Sequence, residues 1–140
     1  MTDPRTAVVT GAARGIGLAV SCRLAADGWT VAACDMLDEQ LAASAKEVGP
    51  LYRPFHMDVT DEADVNAACE RIVAGNPPVL GLVNNAGITR DSLLMRMDAE
   101  AWRKVLTVNL TGAFLVTKAL SKTMMRQKAG SIVNISSVVA

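Results

Sequence analysis

The chain's sequence predicts an α/β fold, a doubly wound parallel sheet with five strands in residues 1–140. Three features predict it. Strand-like and helix-like segments alternate from end to end. The strand segments are near-continuous apolar runs, as in strands covered by helices on both faces. Glycines, prolines and polar turn residues punctuate the segments.

The elements follow in order. "TAVVT" (6–10) reads as a short buried strand. Gly15 to Asp27 reads as a helix that turns Ile16, Ala19, Val20 and Leu24 inward and ends at Gly28. "WTVAAC" (29–34) is the second strand, and Leu37 to Val48 the second helix, stopped by Gly49-Pro50. "LYRPFHM" (51–57) is a third strand confined to an edge, because Pro54 has no N–H for a ladder. Thr60 is the expected cap of the third helix, with Asp61 and Glu62 set against the positive end of its dipole. Val65, Cys69, Ile72 and Val73 mark its inner face, and Gly75 with "NPP" ends it. "VLGLVNNAG" (79–87) is a strand running into a polar turn. A long helix is expected from about Asp98 to Lys128, closed by Gly130, and "SIVNISS" (131–137) is the last strand. Right-handed crossovers then bring "TGAARGIG", "CD", "MDV", "NNAG" and "ISS" to one edge of the sheet. Function is expected along that edge.

Composition narrows the function classes. A chain of 140 residues, 51% hydrophobic, has the size and apolar content of one domain. Lys plus Arg equals Asp plus Glu at 14 each, so charge gives no reason to expect nucleic acid or an anionic membrane as partner. Cys22, Cys34 and Cys69 share no short spacing, which argues against a metal site and for reduced thiols in a cytoplasmic setting. The apolar run that follows Asp3 and Arg5 is too short for a signal peptide or a membrane span.

The stretch with most chemistry is the turn after the first strand, where Thr10-Gly11, Gly15 and Gly17 lead into a helix. Glycine there allows a tight turn and removes the Cβ that would keep a diphosphate away, while free amides at the helix start attract the anion. This placement predicts a Rossmann-type dinucleotide-binding domain. No Lys-Ser/Thr pair closes the motif, so a triphosphate loop fits badly. Asp35, eighteen residues after Gly17, ends the second strand, where a carboxylate accepts from a ribose diol and repels a 2′-phosphate. Arg14 pulls the other way, since a guanidinium in the turn pairs with a 2′-phosphate unless it simply faces solvent. The expected cofactor is NAD, with NADP open.

Taken together, "TGAARGIG", "NNAGITRDSLLMRM", "VNLTGAF" and "GSIVNISSVVA" make the whole chain resemble the short-chain dehydrogenase/reductase family. The resemblance is closest to its 3-oxoacyl-acyl-carrier-protein reductases, with acetoacetyl-CoA reductases nearby. It implies that Gly11, Gly15, Ile16 and Gly17 hold the diphosphate, with Arg14 beside them, and that Asp35 binds the adenosine ribose. Asp58 and Val59 would flank the adenine, and Asn85, Ala86 and Gly87 would line the cofactor; an ordinary polar turn is the other reading of "NNAG". Asn109 would bend the long helix and hold a water in a proton relay, or else be a structural amide that finds partners. Ser137 matches the family's catalytic serine, although serines also end strands for structural reasons. Arg126 and Lys128 either help dock an acidic acyl carrier or form a solvated helix end. The substrate implied is a small or carrier-bound acyl compound, and the long helix, residues 98–128, is the implied interface of a homo-oligomer.

The family's chemistry also needs a Tyr-x-x-x-Lys pair downstream of the serine. The one tyrosine, Tyr52, is followed by Arg53, Pro54, Phe55 and His56 and does not match. The one histidine, His56, lies on the third strand with no serine-hydrolase spacing and reads as structural. The apolar last strand and the two-sided apolar pattern of the long helix lead to the expectation of an incomplete domain lacking its C-terminal part. On that expectation residues 1–140 are a dinucleotide-binding segment that is inactive by itself. A binding or assembly module without turnover, or a dehydrogenase of another secondary alcohol, is the alternative.

Overall fold

The computed structural model describes residues 3–138. Five strands, β1 (Thr6–Thr10), β2 (Thr30–Asp35), β3 (Tyr52–His56), β4 (Val79–Asn84) and β5 (Ser131–Asn134), form one sheet in the order β3-β2-β1-β4-β5. All four pairings are parallel. Every strand therefore ends on the same edge. Pro54 lies on an outer strand, where its missing N–H leaves no gap in the ladder.

Helices α1 (Gly15–Ala26) and α2 (Asp38–Val48) cover one face; α3 (Glu62–Gly75) and α5 (Gly112–Gln127) cover the other. The alternation of side chains along the strands explains the division. Val9, Val31, Ala33 and Val83 pack with Leu41, Tyr52 and the partly buried Leu18 and Leu24. Val8, Ala32, Cys34 and Leu82 pack instead with Val65, Ile72, Leu115, Val116 and Leu120. All of β1 is buried, whereas all of β5 is exposed.

Several expectations need correction. Ile16 is 64% exposed and Ala19 also faces out; Gly17 and Ser21 are the buried residues of α1. The close approach of Gly17 to the end of β1 sets the helix's rotation, so its most apolar residue does not decide which face is inner. Val73 is exposed, and Ala68 takes the inner place beside Val65, Cys69 and Ile72. Thr60 does not cap α3. Asp61 does, accepting from the Asp64 amide at 3.1 Å, while the Thr60 hydroxyl donates to Asp58 Oδ1 at 2.7 Å.

The long helix has three parts: α4 (Ala99–Leu106), a π-helical turn (Thr107–Thr111), and α5. Asp98 caps its start by accepting from Ala101 N, and Lys128, with φ of 52°, ends it in the left-handed conformation expected of Gly130. A 3₁₀ turn at Leu94–Arg96, unmarked by sequence periodicity, precedes it. Its apolar residues do split between two sides: Leu115, Leu120 and Met124 are buried, while Leu106 and Phe114 are exposed. The last strand stops at Asn134, and the Val-Ala end of "SSVVA", residues 139–140, lies outside the described residues. No helix among the described residues is long and apolar enough to cross a membrane.

Candidate functional site

A cleft of about 540 Å³ opens at the C-terminal edge of the sheet, between the ends of β1, β4 and β5 and the π-helical turn. The volume lies within the usual range for small-molecule sites. Of the predicted site residues, Ile16, Val59, Asn85, Ala86, Gly87, Asn109 and Ser137 line it. Gly11, Arg14, Gly15, Gly17, Asp35 and Asp58 are not among its lining; Gly11 and Arg14 lie in the turn after β1, Gly15 and Gly17 in the first turn of α1, Asp35 at the end of β2 and Asp58 just after β3, all on the same edge.

The turn after β1 is shaped by what its glycines lack. Gly11 and Gly15 have φ of 63° and 58°, left-handed values that favour glycine. Gly17 has a different reason: a Cβ there would overlap the Gly11 carbonyl oxygen and lie 2.6 Å from Asn85 Nδ2. The start of α1 therefore lies directly on the end of β1. Arg14 precedes the helix in extended conformation, with no side-chain cap, so the first-turn amides keep their capacity to meet an anion.

Asp35 links this turn to the next. Its Oδ2 accepts from Ala13 N and its Oδ1 from Leu37 N, each at 3.1 Å. Both oxygens keep further lone pairs. Asp58, after β3, accepts from the Thr60 amide at 2.9 Å, and its own amide donates to Asp64 Oδ2 at 2.6 Å. Val59 is buried against Gly112, where a Cβ would approach Val59 Cγ2 to 2.8 Å.

The turn after β4 docks onto the turn after β1. Thr10 Oγ1 accepts from the amides of Asn85 and Ala86, both at 3.0 Å. Asn85 Nδ2 donates to the carbonyls of Thr10 and Gly11 at 3.1 and 3.2 Å. "NNAG" thus does more than reverse the chain: its second Asn ties two strand ends together.

Asn109 occupies the centre of the π-helical turn, a rare geometry often found at functional sites. Its Oδ1 accepts from Ile88 N at 2.8 Å and its Nδ2 donates to Ile88 O at 2.9 Å. The mid-helix amide therefore has partners, and it also lines the cleft. Ser137 reaches the cleft from the segment after β5, next to Ser136 and Ile135.

Thr10, named in the sequence only as the start of the glycine turn, also lines the cleft, and sequence reasoning missed Asn84 and Asn134 as cleft residues. Asn84 and Asn134 end β4 and β5 in register, and Asn84 Nδ2 donates to Asn134 Oδ1 at 2.8 Å and to Thr117 Oγ1 at 3.0 Å. Asn84 Oδ1 is buried without a partner among the described residues. A polar residue closing each of two apolar runs was the available signal.

Tyr52 and His56 take structural places. Burial, with the nearby Asp35 charge second, pushes the Tyr52 hydroxyl up to about 12, so it stays a protonated donor; it bonds Ala12 O at 2.9 Å. His56 Nδ1 meets Asp38 Oδ1 at 2.8 Å, and that hydrogen bond is the main cause raising the imidazole's pKa.

A family profile described as short chain dehydrogenase matches residues 5–140. The 3-oxoacyl-[acyl-carrier-protein] reductase FabG of Thermotoga maritima is 44% identical over 140 aligned residues, covering 98% of this chain and 57% of that protein. Its namesake in Escherichia coli K12 is 41% identical over 137 residues, covering 98% and 56%. The (3R)-3-hydroxyacyl-CoA dehydrogenase of Canis lupus familiaris is 42% identical over 147 residues, covering 95% and 56%. Among solved structures, a phenylalanine-to-tryptophan variant of actinorhodin polyketide ketoreductase with NADPH superimposes with a TM-score of 0.92 at 36% identity, over 96% of this chain and 54% of that one. The chain thus spans about half the length of the curated relatives it matches.

Proposed function

The chain belongs to the short chain dehydrogenase family, and on that premise we propose that it holds a nicotinamide dinucleotide along the C-terminal edge of its sheet. The whole protein would be an oxidoreductase that moves hydride between NAD(P)(H) and a 3-oxoacyl or 3-hydroxyacyl thioester. One observation carries the cofactor reading: Gly17 leaves no room for a Cβ against Gly11, so α1 starts, without a side-chain cap, directly beside the end of β1, and its Ile16 lines the cleft. The thioester reading is supported by the relatives, two named as 3-oxoacyl-acyl-carrier-protein reductases and one as a 3-hydroxyacyl-CoA dehydrogenase.

In this reading the amides and glycines of Gly11, Gly15, Ile16 and Gly17 take the diphosphate, with Arg14 at its side. Asp35 accepts from the adenosine ribose diol, and Asp58 and Val59 border the adenine. Asn85, Ala86 and Gly87 line the nicotinamide half. The nicotinamide supplies or accepts the hydride. Ser137 orients the substrate oxygen, and Asn109 holds both the Ile88 backbone and a relay water. The proton-transferring Tyr-x-x-x-Lys pair of the family is not within these 140 residues, so they are proposed to bind without turnover by themselves. Steady turnover of acetoacetyl-CoA with NADH or NADPH by the 140-residue chain would overturn that proposal. Oligomer formation through the long helix is supported by Leu106, Leu110 and Phe114, spaced four apart and all exposed.

Asp35→Asn tests the cofactor choice. It removes the charge but keeps an acceptor for one of the two amides that Asp35 holds, which Asp35→Ala would not. Wild type is expected to prefer NADH, and the variant to gain NADPH affinity on the order of tenfold as the repulsion of a 2′-phosphate is removed. Titration of nucleotide fluorescence reads both. Unchanged affinities for the two nucleotides would remove Asp35 from the ribose site.

A further inference from the structure

The glycine-rich turn has an inner side that faces the core. There Ala12 and Ala13 are 0% and 3% exposed, so their four backbone polar groups need partners inside the protein. All four have one. The Ala12 amide donates to Cys34 O and the Ala13 amide to Asp35 Oδ2, both at 3.1 Å and both on β2. Ser44 Oγ on α2 donates to Ala13 O at 3.1 Å, and the Tyr52 hydroxyl on β3 donates to Ala12 O at 2.9 Å. Both hydroxyl side chains are buried, with Ser44 6% and Tyr52 2% exposed.

These bonds act on peptide planes. A trans peptide sets its C=O and the next N–H in opposite directions within one rigid unit. The Ala12–Ala13 unit is gripped at both ends, by Tyr52 and by Asp35. In the Ala13–Arg14 unit, Ser44 holds the carbonyl, so the Arg14 amide, opposed to it across the trans peptide, is turned away from Ser44. Loss of either hydroxyl leaves a buried carbonyl unpaired and frees its plane to turn, carrying with it the Ala13 amide that meets Asp35 or the Arg14 amide.

We propose that Tyr52 and Ser44 are positioning residues for the dinucleotide's diphosphate: from β3 and α2 they hold the two peptide units that lead into α1, Tyr52 the unit whose amide meets Asp35 and Ser44 the unit that carries the Arg14 amide. The proposal rests on the dinucleotide reading above. It makes the Tyr52 hydroxyl matter for an anion that it does not touch.

The test uses Tyr52→Phe and Ser44→Ala in the full polypeptide that contains this chain, with NADH, ADP and adenosine as separate probes. Tyr52→Phe keeps the ring in the core, and Ser44→Ala removes one oxygen. Each variant is expected to weaken NADH and ADP about fivefold, the typical worth of one hydrogen bond, and to leave adenosine within about twofold. Adenosine has no diphosphate, so this split separates aiming from general loosening. Undiminished NADH and ADP binding in both variants overturns the proposal, and so does an equal loss for adenosine. If Tyr52→Phe does not fold, Ser44→Ala decides, because it acts directly on the Arg14 plane. Wild-type protein that binds none of the three removes the dinucleotide reading as well, whereas a binding wild type with undiminished variants removes this inference only.

Discussion

Beside the cleft on the β1 side stands a turn shaped by its peptide groups, while the β4–β5 side presents amide and hydroxyl side chains. The β1 side is the turn from Gly11 to Gly17, whose core-facing polar groups are bonded from β2, β3 and α2. The β4–β5 side carries the polar side chains of Asn84, Asn85, Asn109, Asn134, Ser136 and Ser137. The glycines on the two sides differ in the same sense. A Cβ at Gly17 would strike backbone, whereas one at Gly87 would meet nothing closer than Asn109 Oδ1 at 3.4 Å. The first side works by leaving atoms out and must be rigid. The second works by placing side chains and tolerates more at its main chain.

Substitutions on the two sides sharpen the contrast. The largest effect is expected from Gly17→Ala. The added Cβ overlaps the Gly11 carbonyl and crowds Asn85 Nδ2, so main chain must move. A loss of about 3 kcal/mol in urea unfolding is expected, with loss of dinucleotide binding. A variant of wild-type stability and affinity would show that the turn is not rigid, and the contrast would fail. On the other side, Asn109→Ala removes both bonds to Ile88 and leaves a half-buried N–H and C=O to find new partners. The expected cost is smaller, about 1–3 kcal/mol, with faster hydrogen exchange at the Ile88 amide. Unchanged exchange at Ile88 would mean that the π-helical turn keeps its shape without the amide.

Much of the fold was legible because it depends on local pattern. The five strands and their order along the chain follow from short apolar runs closed by glycine, proline and asparagine. The edge position of β3 follows from one missing N–H at Pro54. Inner helix faces were less legible. In α1 the rule of apolar periodicity picked Ile16, but contact between Gly17 and Gly11 leaves Ile16 exposed beside the cleft. The cap of α3 was misplaced by one residue because Thr60, Asp61 and Asp64 all carry acceptors, and only the backbone path selects Asp61.

The candidate site divides in the same way. Gly11, Gly15 and Gly17 announce themselves, since few other roles place three glycines between a strand and a helix. Asn84 and Asn134 stayed unremarked because each looks like an ordinary strand end until parallel register sets them side by side. Asn109 stood out as a polar residue in an apolar helix, yet its partner Ile88 is 21 residues away and invisible to any helical wheel.

By itself the sequence determined the alternation of strands and helices, the edge on which the turns collect, and the glycine-rich bend that suits an anion. Those depend on φ/ψ preference, side-chain period and the presence or absence of a Cβ within a few residues. Only the tertiary structure decided which side of α1 turns inward, where the long helix widens into a π turn, and that Ser44 and Tyr52, 31 and 40 residues from their acceptors, grip the turn from within. Such contacts depend on strand register and on how helices seat against the sheet, and no local pattern encodes either.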